Sequence, residues 1–144
     1  MPKPATVKCP ACGTLNRVDL ARAAQRPSCG RCRRALALDH PLPVAEAEFD
    51  RVIGDASVPV LVDFYADWCG PCRMMAPALD AFAAARAGDV LVLKLDTDAS
   101  QGAAARFGIR GIPTLIVFRG GKEAARHVGA ADGATLEALV RRAG

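Results

Sequence analysis

Six cysteines in this 144-residue chain fall into three pairs of the same C-x-x-C spacing. The pairs are CPAC at 9–12, CGRC at 29–32 and CGPC at 69–72. Two sulfurs at this spacing can hold one metal ion together, or they can close into a disulfide that exchanges with other thiols. Two pairs lie near the N-terminus and the third follows an apolar run, so the three pairs need not share one chemistry.

The first two pairs have the spacing of a four-cysteine zinc site, with sixteen residues between them. Two tight turns, each presenting two sulfurs, supply the tetrahedron that zinc prefers. We therefore predict one structural Zn²⁺, which would also stabilise a segment that is too short to build its own core. The alternative is disulfide bonding among the same cysteines. The predicted ligands are Cys9, Cys12, Cys29 and Cys32.

The glycines of this segment fit such turns. Gly13 follows the first pair and Gly30 lies inside the second, where a tight turn can require positive φ.

Charge divides the chain in two. Residues 1–38 contain eight Lys or Arg against one acid, a net charge of +7, whereas the remaining residues carry −3. The break is followed by HPLP, whose prolines indicate a short stiff linker. We predict a four-cysteine zinc-binding domain at 1–38, a linker at 39–43 and a second domain at 44–144.

The basic charge of the first segment has two interpretations. It can offset the negative charge of a zinc ion bound by four thiolates, or it can contact nucleic acid. No aromatic residue precedes Phe49, so the segment has no platform on which single-stranded bases could stack. We do not expect nucleic acid as a partner.

No part of the chain resembles a targeting or membrane segment. The opening MPKPATVKCP lacks an apolar stretch behind its positive charge, and no run approaches the ~18 apolar residues of a membrane span. We expect a cytoplasmic protein with no membrane partner. In that reducing compartment, C-x-x-C pairs bind metal or act catalytically more often than they form structural disulfides.

Apolar periodicity predicts the elements that must position the third pair. An α/β domain with a mixed sheet and helices on both faces follows from their order. We predict helices at 44–55, 70–87, 100–107 and 135–142, and strands at 58–66, 90–95, 114–118 and 123–128. Pro77 lies inside the second helix and predicts a kink.

The segments VDFYADWCGPC, PTL within GIRGIPTLIVF, and HVGA resemble the thioredoxin family over essentially all of residues 44–144. With the four-cysteine extension in front, the chain resembles the bacterial thioredoxin 2 type of that family. The resemblance implies a thioredoxin fold preceded by a small zinc-ribbon-like domain. Tyr65 departs from the family, which often has tryptophan there, and we expect altered packing without altered chemistry.

The third pair has the layout of an exchange dithiol. Cys69 would lie at a helix N-terminus, where free N–H groups and the helix dipole stabilise a thiolate, so it is the predicted nucleophile. Cys72, one turn further in, should be more shielded and resolve the mixed disulfide. Pro71 suits an early helical position. Arg73 either tunes the sulfurs or is an ordinary solvated charge.

Asp63 lies between apolar residues of a predicted strand, which suggests burial and a raised pKa. The resemblance implies that Asp63 is the buried acid behind the active site, with Lys94 as its partner and a water that relays the proton of Cys72. The alternatives are an Asp63 that faces solvent and a Lys94 that is an ordinary surface lysine.

The remaining predicted site residues would bind substrate. By resemblance, Ile112 and Pro113 form a cis-proline loop whose backbone pairs with an extended substrate segment. Trp68 could be a core aromatic, but its position off the strand favours surface contact. Predicted substrate-binding residues are Trp68, Gly70, Pro71, Ile112, Pro113, Gly129 and Ala130.

Gly-Pro between the cysteines resembles the reductant branch of the family. The resemblance therefore implies a protein-disulfide reductase that serves electron transport and cell redox homeostasis, is recharged by an NADPH-dependent thioredoxin reductase, and binds no organic cofactor. Its partners would be disulfide-containing proteins and the reductase, and we expect a monomer. The competing interpretation is a zinc-dependent redox-sensing or partner-binding module with an auxiliary thioredoxin domain. A third possibility is that oxidation of the zinc thiolates releases metal and modulates the reductase.

Overall fold

The computed structural model describes residues 1–144. Its N-terminal part is a two-stranded antiparallel hairpin, β1 (Pro4–Lys8) and β2 (Leu15–Asp19), followed by a 3₁₀ helix at Leu20–Gln25. An isolated bridge between Ser28 and Ala35 encloses the second cysteine pair. The hairpin was not predicted, because its strands are only five residues long and contain few large apolar side chains.

The two N-terminal cysteine turns are built alike. The N–H of Gly13 donates to the carbonyl of Cys9 over 2.9 Å, and the N–H of Arg33 donates to that of Cys29 over 3.0 Å. Both donors have positive φ, 78° at Gly13 and 69° at Arg33. The prediction of a positive φ at Gly30 was therefore wrong, because the left-handed residue follows each pair and does not lie inside it.

The second part is a five-stranded sheet of order β3-β5-β4-β6-β7. The first three strands in this order run parallel, β6 is antiparallel to them, and β7 is antiparallel to β6. The strands are β3 (Leu42–Pro43), β4 (Val60–Tyr65), β5 (Leu91–Asp96), β6 (Thr114–Arg119) and β7 (Lys122–Val128). The mixed sheet agrees with the prediction, although β3 lies inside the segment interpreted as a linker.

Four helices cover the two faces of this sheet. They are α1 (Phe49–Asp55), preceded by a 3₁₀ turn at Glu46–Glu48, then α2 (Gly70–Ala85), α3 (Gln101–Arg106) and α4 (Gly133–Arg142). Side chains alternate along β4: Val62 and Phe64 pack with α1 and α3, whereas Leu61 packs with α2 and α4. The same alternation places Asp63 and Tyr65 on the α2 face.

The core under α1 continues into the N-terminal part. One cluster of buried side chains joins Val7 of β1 and Leu20 of the 3₁₀ helix to Phe49 and Val52 of α1. Hydrogen bonds reinforce this contact: Thr6 Oγ1 donates to Asp55 over 2.7 Å. The two parts are therefore packed against each other.

A partly buried ion pair crosses the same boundary, with Lys8 Nζ 3.0 Å from Glu48. Further along the boundary, Gly88 lies so close to the 3₁₀ helix that a Cβ there would be 3.0 Å from the carbonyl oxygen of Leu20.

The helices are too short or too polar for the bilayer, since none has an apolar stretch that could cross a membrane.

Candidate functional site

The third cysteine pair lies where β4 gives way to α2. Cys69 is the N-cap of α2, and its sulfur accepts a hydrogen bond from the N–H of Cys72 over 3.2 Å. Gly70 and Pro71 open the helix, where proline needs no N–H partner. Cys69 and Cys72 form a disulfide with their Cα atoms 5.3 Å apart. The N–H groups and dipole of α2 thus favour negative charge on the sulfur released when this disulfide is reduced.

Exposure does not distinguish the two cysteines as predicted. Cys69 is 3% exposed and Cys72 is 6% exposed, so the expectation that Cys72 would be the more shielded residue was wrong. Ala66 of the preceding loop and Ile112 of the facing proline loop pack against the pair. What separates the two is position at the helix end, because the sulfur of Cys69 accepts an N–H bond from the first turn.

Arg73 stabilises the loop that leads to the dithiol. Its guanidinium donates to the carbonyl of Asp67 over 2.6 Å while remaining exposed. The side chain therefore has a structural partner beside the site, in addition to the charge it contributes there.

The loop between α3 and β6 faces the dithiol. The Ile112–Pro113 peptide bond is cis, and the sulfur of Cys69 lies 3.7 Å from the carbonyl oxygen of Ile112. Gly129 joins this wall, since its N–H donates to the carbonyl of Pro113 over 2.8 Å. Exposed Ala130 follows it. The structure thus brings the predicted substrate-binding loops together around Cys69.

Trp68 lies on the surface beside the dithiol, 67% exposed, and its indole N–H donates to Asp98 over 2.8 Å. The core interpretation of this residue was wrong.

Two more exposed apolar side chains extend the surface, Met74 at 83% and Val128 at 60%. Sequence reasoning missed both. The adjacent Met74 and Met75 indicate that one of the two is exposed, because successive helical residues point in different directions, but the sequence does not say which one.

Asp63 is buried behind the dithiol, with 2% of its surface exposed and no hydrogen-bond partner for Oδ1. Burial raises its pKa to about 6, although the positive charge of Lys94 partly opposes the shift. The alternative of a solvent-facing Asp63 was wrong. Asp63 and Cys72 line the same cavity of about 130 Å³, which is large enough to admit water.

Lys94 is directly opposite Asp63 in the register of β4 and β5. It is half-buried, so it is neither an ordinary surface lysine nor a fully enclosed one. No ion pair of the protein includes it. Its Nζ instead lies 4.4 Å from the ring centroid of Tyr65.

The four N-terminal cysteines form a separate cluster. Their sulfurs all lie within 4.8 Å of one another. Cys9 and Cys32 sulfurs are 3.7 Å apart, and those of Cys12 and Cys29 are 3.6 Å apart. A tetrahedron with Zn–S bonds of ~2.3 Å has sulfur–sulfur edges of about 3.8 Å, so the arrangement fits a four-coordinate metal ion.

Hydrogen bonds within this cluster favour some thiolates and oppose others. The pKa of Cys29 falls to about 6, because backbone N–H groups around Cys32 and Arg31 and the amide of Asn16 favour its charged form. Cys32 also receives a backbone bond, from Arg34, but burial and the neighbouring sulfurs raise its pKa to about 11. The four sulfurs therefore differ in how readily they lose their protons, and binding of a metal ion would require all four as thiolates.

A disulfide at a helix N-terminus beside a mixed sheet, facing a cis-proline loop, is the arrangement of protein-disulfide oxidoreductases. The chain matches the family model described as "Thioredoxin" over residues 40–142 and the one described as "Thioredoxin 2, N-terminal" over residues 8–34. It belongs to the thioredoxin family, with the N-terminal four-cysteine ribbon of thioredoxin 2.

Similar proteins of known family support this assignment to the thioredoxin family. The chain is 40% identical to thioredoxin C-3 of Corynebacterium nephridii over 124 residues, which cover 86% of this chain and 85% of the relative. It is 44% identical to a thioredoxin of Synechocystis sp. over 99 residues, 69% of this chain and 92% of the relative. Among solved structures, a mutant thioredoxin from Halobacterium salinarum NRC-1 superposes with a TM-score of 0.66 at 38% identity, covering 75% of this chain and 94% of that one.

Proposed function

We propose that this protein reduces disulfides in other proteins through Cys69 and Cys72. The observation that supports this most directly is the closed pair at the N-terminus of α2, where the Cys72 N–H contacts the Cys69 sulfur. In the reduced protein, the Cys69 thiolate attacks one sulfur of the substrate disulfide and releases the other as a thiolate. Cys72 then attacks Cys69, the mixed disulfide breaks, and the two electrons of the dithiol have moved to the substrate.

Asp63 serves the second step in this proposal. Cys72 must lose its proton before it can attack, and Asp63 lines the same cavity. A water in that cavity would pass the proton to the carboxylate, whose pKa of about 6 is close to the working pH. Lys94 influences this step because its positive charge lowers the pKa of Asp63.

The surface around Cys69 would bind the substrate chain. An extended segment could pair with the backbone of Ile112 beside Pro113, and Gly129 and Ala130 leave that edge open. Trp68 supplies apolar area next to the sulfur. Gly70 and Pro71 complete the surface on the helix side, and their small profile lets a substrate disulfide approach Cys69.

We further propose that Cys9, Cys12, Cys29 and Cys32 hold one Zn²⁺ with a structural role. The metal would neutralise the four thiolates, and a site with four protein ligands leaves no position for substrate. Recharging of the active-site disulfide would come from an NADPH-dependent thioredoxin reductase in a reducing compartment such as the cytoplasm, with the protein acting as a monomer and without an organic cofactor.

The test uses serine variants of the full chain and a protein disulfide such as that of insulin. Cys69→Ser should abolish catalysed reduction, because the attacking sulfur is gone. Cys72→Ser should instead accumulate a covalent mixed disulfide, visible by non-reducing electrophoresis and mass spectrometry. Reduction by Cys69→Ser at the wild-type rate would show that the nucleophile is assigned wrongly.

A further inference from the structure

The contact between Lys94 and Tyr65 bears on the buried acid. Asp63 and Tyr65 are two residues apart on β4, so their side chains lie on the same face of the sheet. Lys94 on β5 is opposite Asp63 in register and lines the same cavity. Its ammonium thus has two possible partners, the carboxylate and the aromatic ring, and the structure places it over the ring, 4.4 Å from the centroid.

The contact of the Lys94 ammonium with the Tyr65 ring can be more favourable than an ion pair with Asp63. A cation over an aromatic face is attracted wherever it lies within ~6 Å of the centroid, and the ammonium keeps part of its hydration there. An ion pair with Asp63 would require Lys94 to follow the carboxylate into a buried position, where lost hydration offsets much of the attraction. The observed geometry leaves Asp63 Oδ1 without any hydrogen-bond partner.

The other groups around Asp63 do not take the place of Lys94. The neighbouring residue on β6 is Leu115, which is apolar and buried. Asp67 of the loop and Asp96 of β5 place further negative charge beside Tyr65. From α2, Cys72 and Arg73 line the cavity, and Arg73 is engaged with the carbonyl of Asp67. Lys94 is thus the cation that can respond to a change at Tyr65.

We propose that Tyr65 is a positioning residue whose ring holds the Lys94 ammonium away from Asp63, so that the carboxyl group remains free to accept the proton of Cys72. The kinetic consequence rests on the proposed function, but the positioning itself does not. Tyr65 is well placed for this task because its carbonyl accepts hydrogen bonds from both the N–H and the hydroxyl of Thr97, at 2.8 Å and 2.9 Å. These bonds fix the end of β4 to the segment after β5.

Removing the aromatic face should release Lys94 toward Asp63. The closer positive charge would stabilise the carboxylate and lower the pKa of Asp63, which makes it a weaker base for Cys72. The hydroxyl of Tyr65 has no part in this effect, so Tyr65→Phe should behave like the wild type and Tyr65→Leu should not.

The experiment is a double-mutant cycle read at Asp63 itself. Carboxyl ¹³C chemical shifts of the full chain in its disulfide form are titrated for the wild type, Tyr65→Phe, Tyr65→Leu, Lys94→Met and the Tyr65→Leu, Lys94→Met double variant. We expect Tyr65→Leu to lower the Asp63 midpoint by about one pH unit, a tenfold change in its acid dissociation constant. In the Lys94→Met background, the same substitution should leave the midpoint unchanged.

Two results would overturn the proposal. The first is an Asp63 midpoint that does not fall in Tyr65→Leu. The second is an equal fall with and without Lys94, which would mean that the ring acts by excluding water and not by holding the lysine.

A parallel measurement separates this proposal from the proposed function. The pH midpoint for resolution of the mixed disulfide should move with the NMR midpoint in Tyr65→Leu. If the NMR midpoint moves and the resolution kinetics do not, the positioning role is supported and the base role of Asp63 fails.

Discussion

Asp63 is the residue at which stability and chemistry conflict. A carboxyl group whose folded-state pKa of about 6 exceeds the ordinary value of 3.8 binds its proton more tightly in the folded chain. Its contribution to stability is therefore complete below about pH 4 and is lost as the pH rises through about 6. At neutral pH the protein retains a buried charge that costs up to ~3 kcal/mol of folding free energy.

Because the ionised Asp63 destabilises the folded protein at neutral pH, a neutral side chain at this position should be stabilising there. Asp63→Asn should raise the free energy of unfolding at pH 7.5 by up to ~3 kcal/mol, and the gain should vanish near pH 4. Denaturant melts across this pH range provide the measurement. Asp80→Asn is the matched control, because Asp80 is exposed on α2 and should change stability little at any pH. A gain that does not depend on pH would contradict this account of the burial.

The same substitution should slow catalysis at one step. Without a carboxylate in the shared cavity, Cys72 loses its proton acceptor, so resolution of the mixed disulfide should slow by roughly 10²-fold while its formation changes little. Rapid-mixing kinetics with a substrate that forms a stable mixed disulfide can separate the two steps. An unchanged resolution rate would rule out the proton-accepting role.

At the scale of elements, the boundary between the two parts constrains one glycine. Gly88, between α2 and β5, has φ of +87° and faces the carbonyl of Leu20. Gly88→Ala should therefore destabilise the protein by about 1–3 kcal/mol, since it combines a disfavoured backbone conformation with a close contact.

Gly54 provides the matched control for that prediction. It lies inside α1 without positive φ, and a Cβ there would meet nothing within 4 Å. Gly54→Ala should stabilise by ~0.5–1 kcal/mol, because alanine loses less backbone entropy in a helix. Chemical denaturation of both variants gives the comparison. Equal effects would show that neither the positive φ of Gly88 nor its contact with the N-terminal part has energetic weight.

The elements themselves were largely predictable from the sequence. Continuous apolar runs marked β4, β5 and β6, since strands covered on both faces have apolar side chains in both directions. The hairpin β1–β2 was not predictable from the sequence, because its pairing depends on the cysteine turns and on packing against α1. For the same reason, the 39–43 segment could not be recognised as containing a strand: Leu42 and Pro43 pair with β5 across a long stretch of chain.

Some residues of the candidate site could be predicted from the sequence and others could not. The dithiol and the buried Asp63 could be predicted because motif spacing and local apolarity carry the signal, whereas the proline loop was predicted only from the family resemblance. The position of Lys94 could not, because register places it beside both Asp63 and Tyr65, and only the folded geometry shows which one its ammonium contacts. Exposure of Met74 likewise depends on which side of α2 faces the sheet.

At the scale of the whole molecule, the shared core connects the four-cysteine cluster to the thioredoxin fold. Val7, on β1 just before the first cysteine turn, and Leu36, after the second turn, are each almost fully buried in the cluster of side chains that contains Phe49. If metal loss opened the cysteine turns, these side chains would lose their support, and the apolar surface of α1 would become exposed. Stability of the sheet should therefore depend on a metal ion that lies outside it.

The last prediction tests this coupling in the full chain. Cys12→Ser removes an exposed cysteine of the proposed zinc site without altering the core, and the matched control Arg34→Gln changes an exposed residue that follows the second cysteine turn and has no place in that site. Cys12→Ser, or the wild type treated with a chelator, should melt about 10 °C or more below the zinc-loaded protein, since a loss of several kcal/mol shifts Tm by ~2–4 °C per kcal/mol in a protein of this size. Hydrogen exchange should locate the loss in β1, α1 and β4, and Arg34→Gln should match the wild type in both measurements. If β4 and α1 exchange equally slowly with and without metal, the two parts fold independently and the shared core does not transmit the effect of the zinc site.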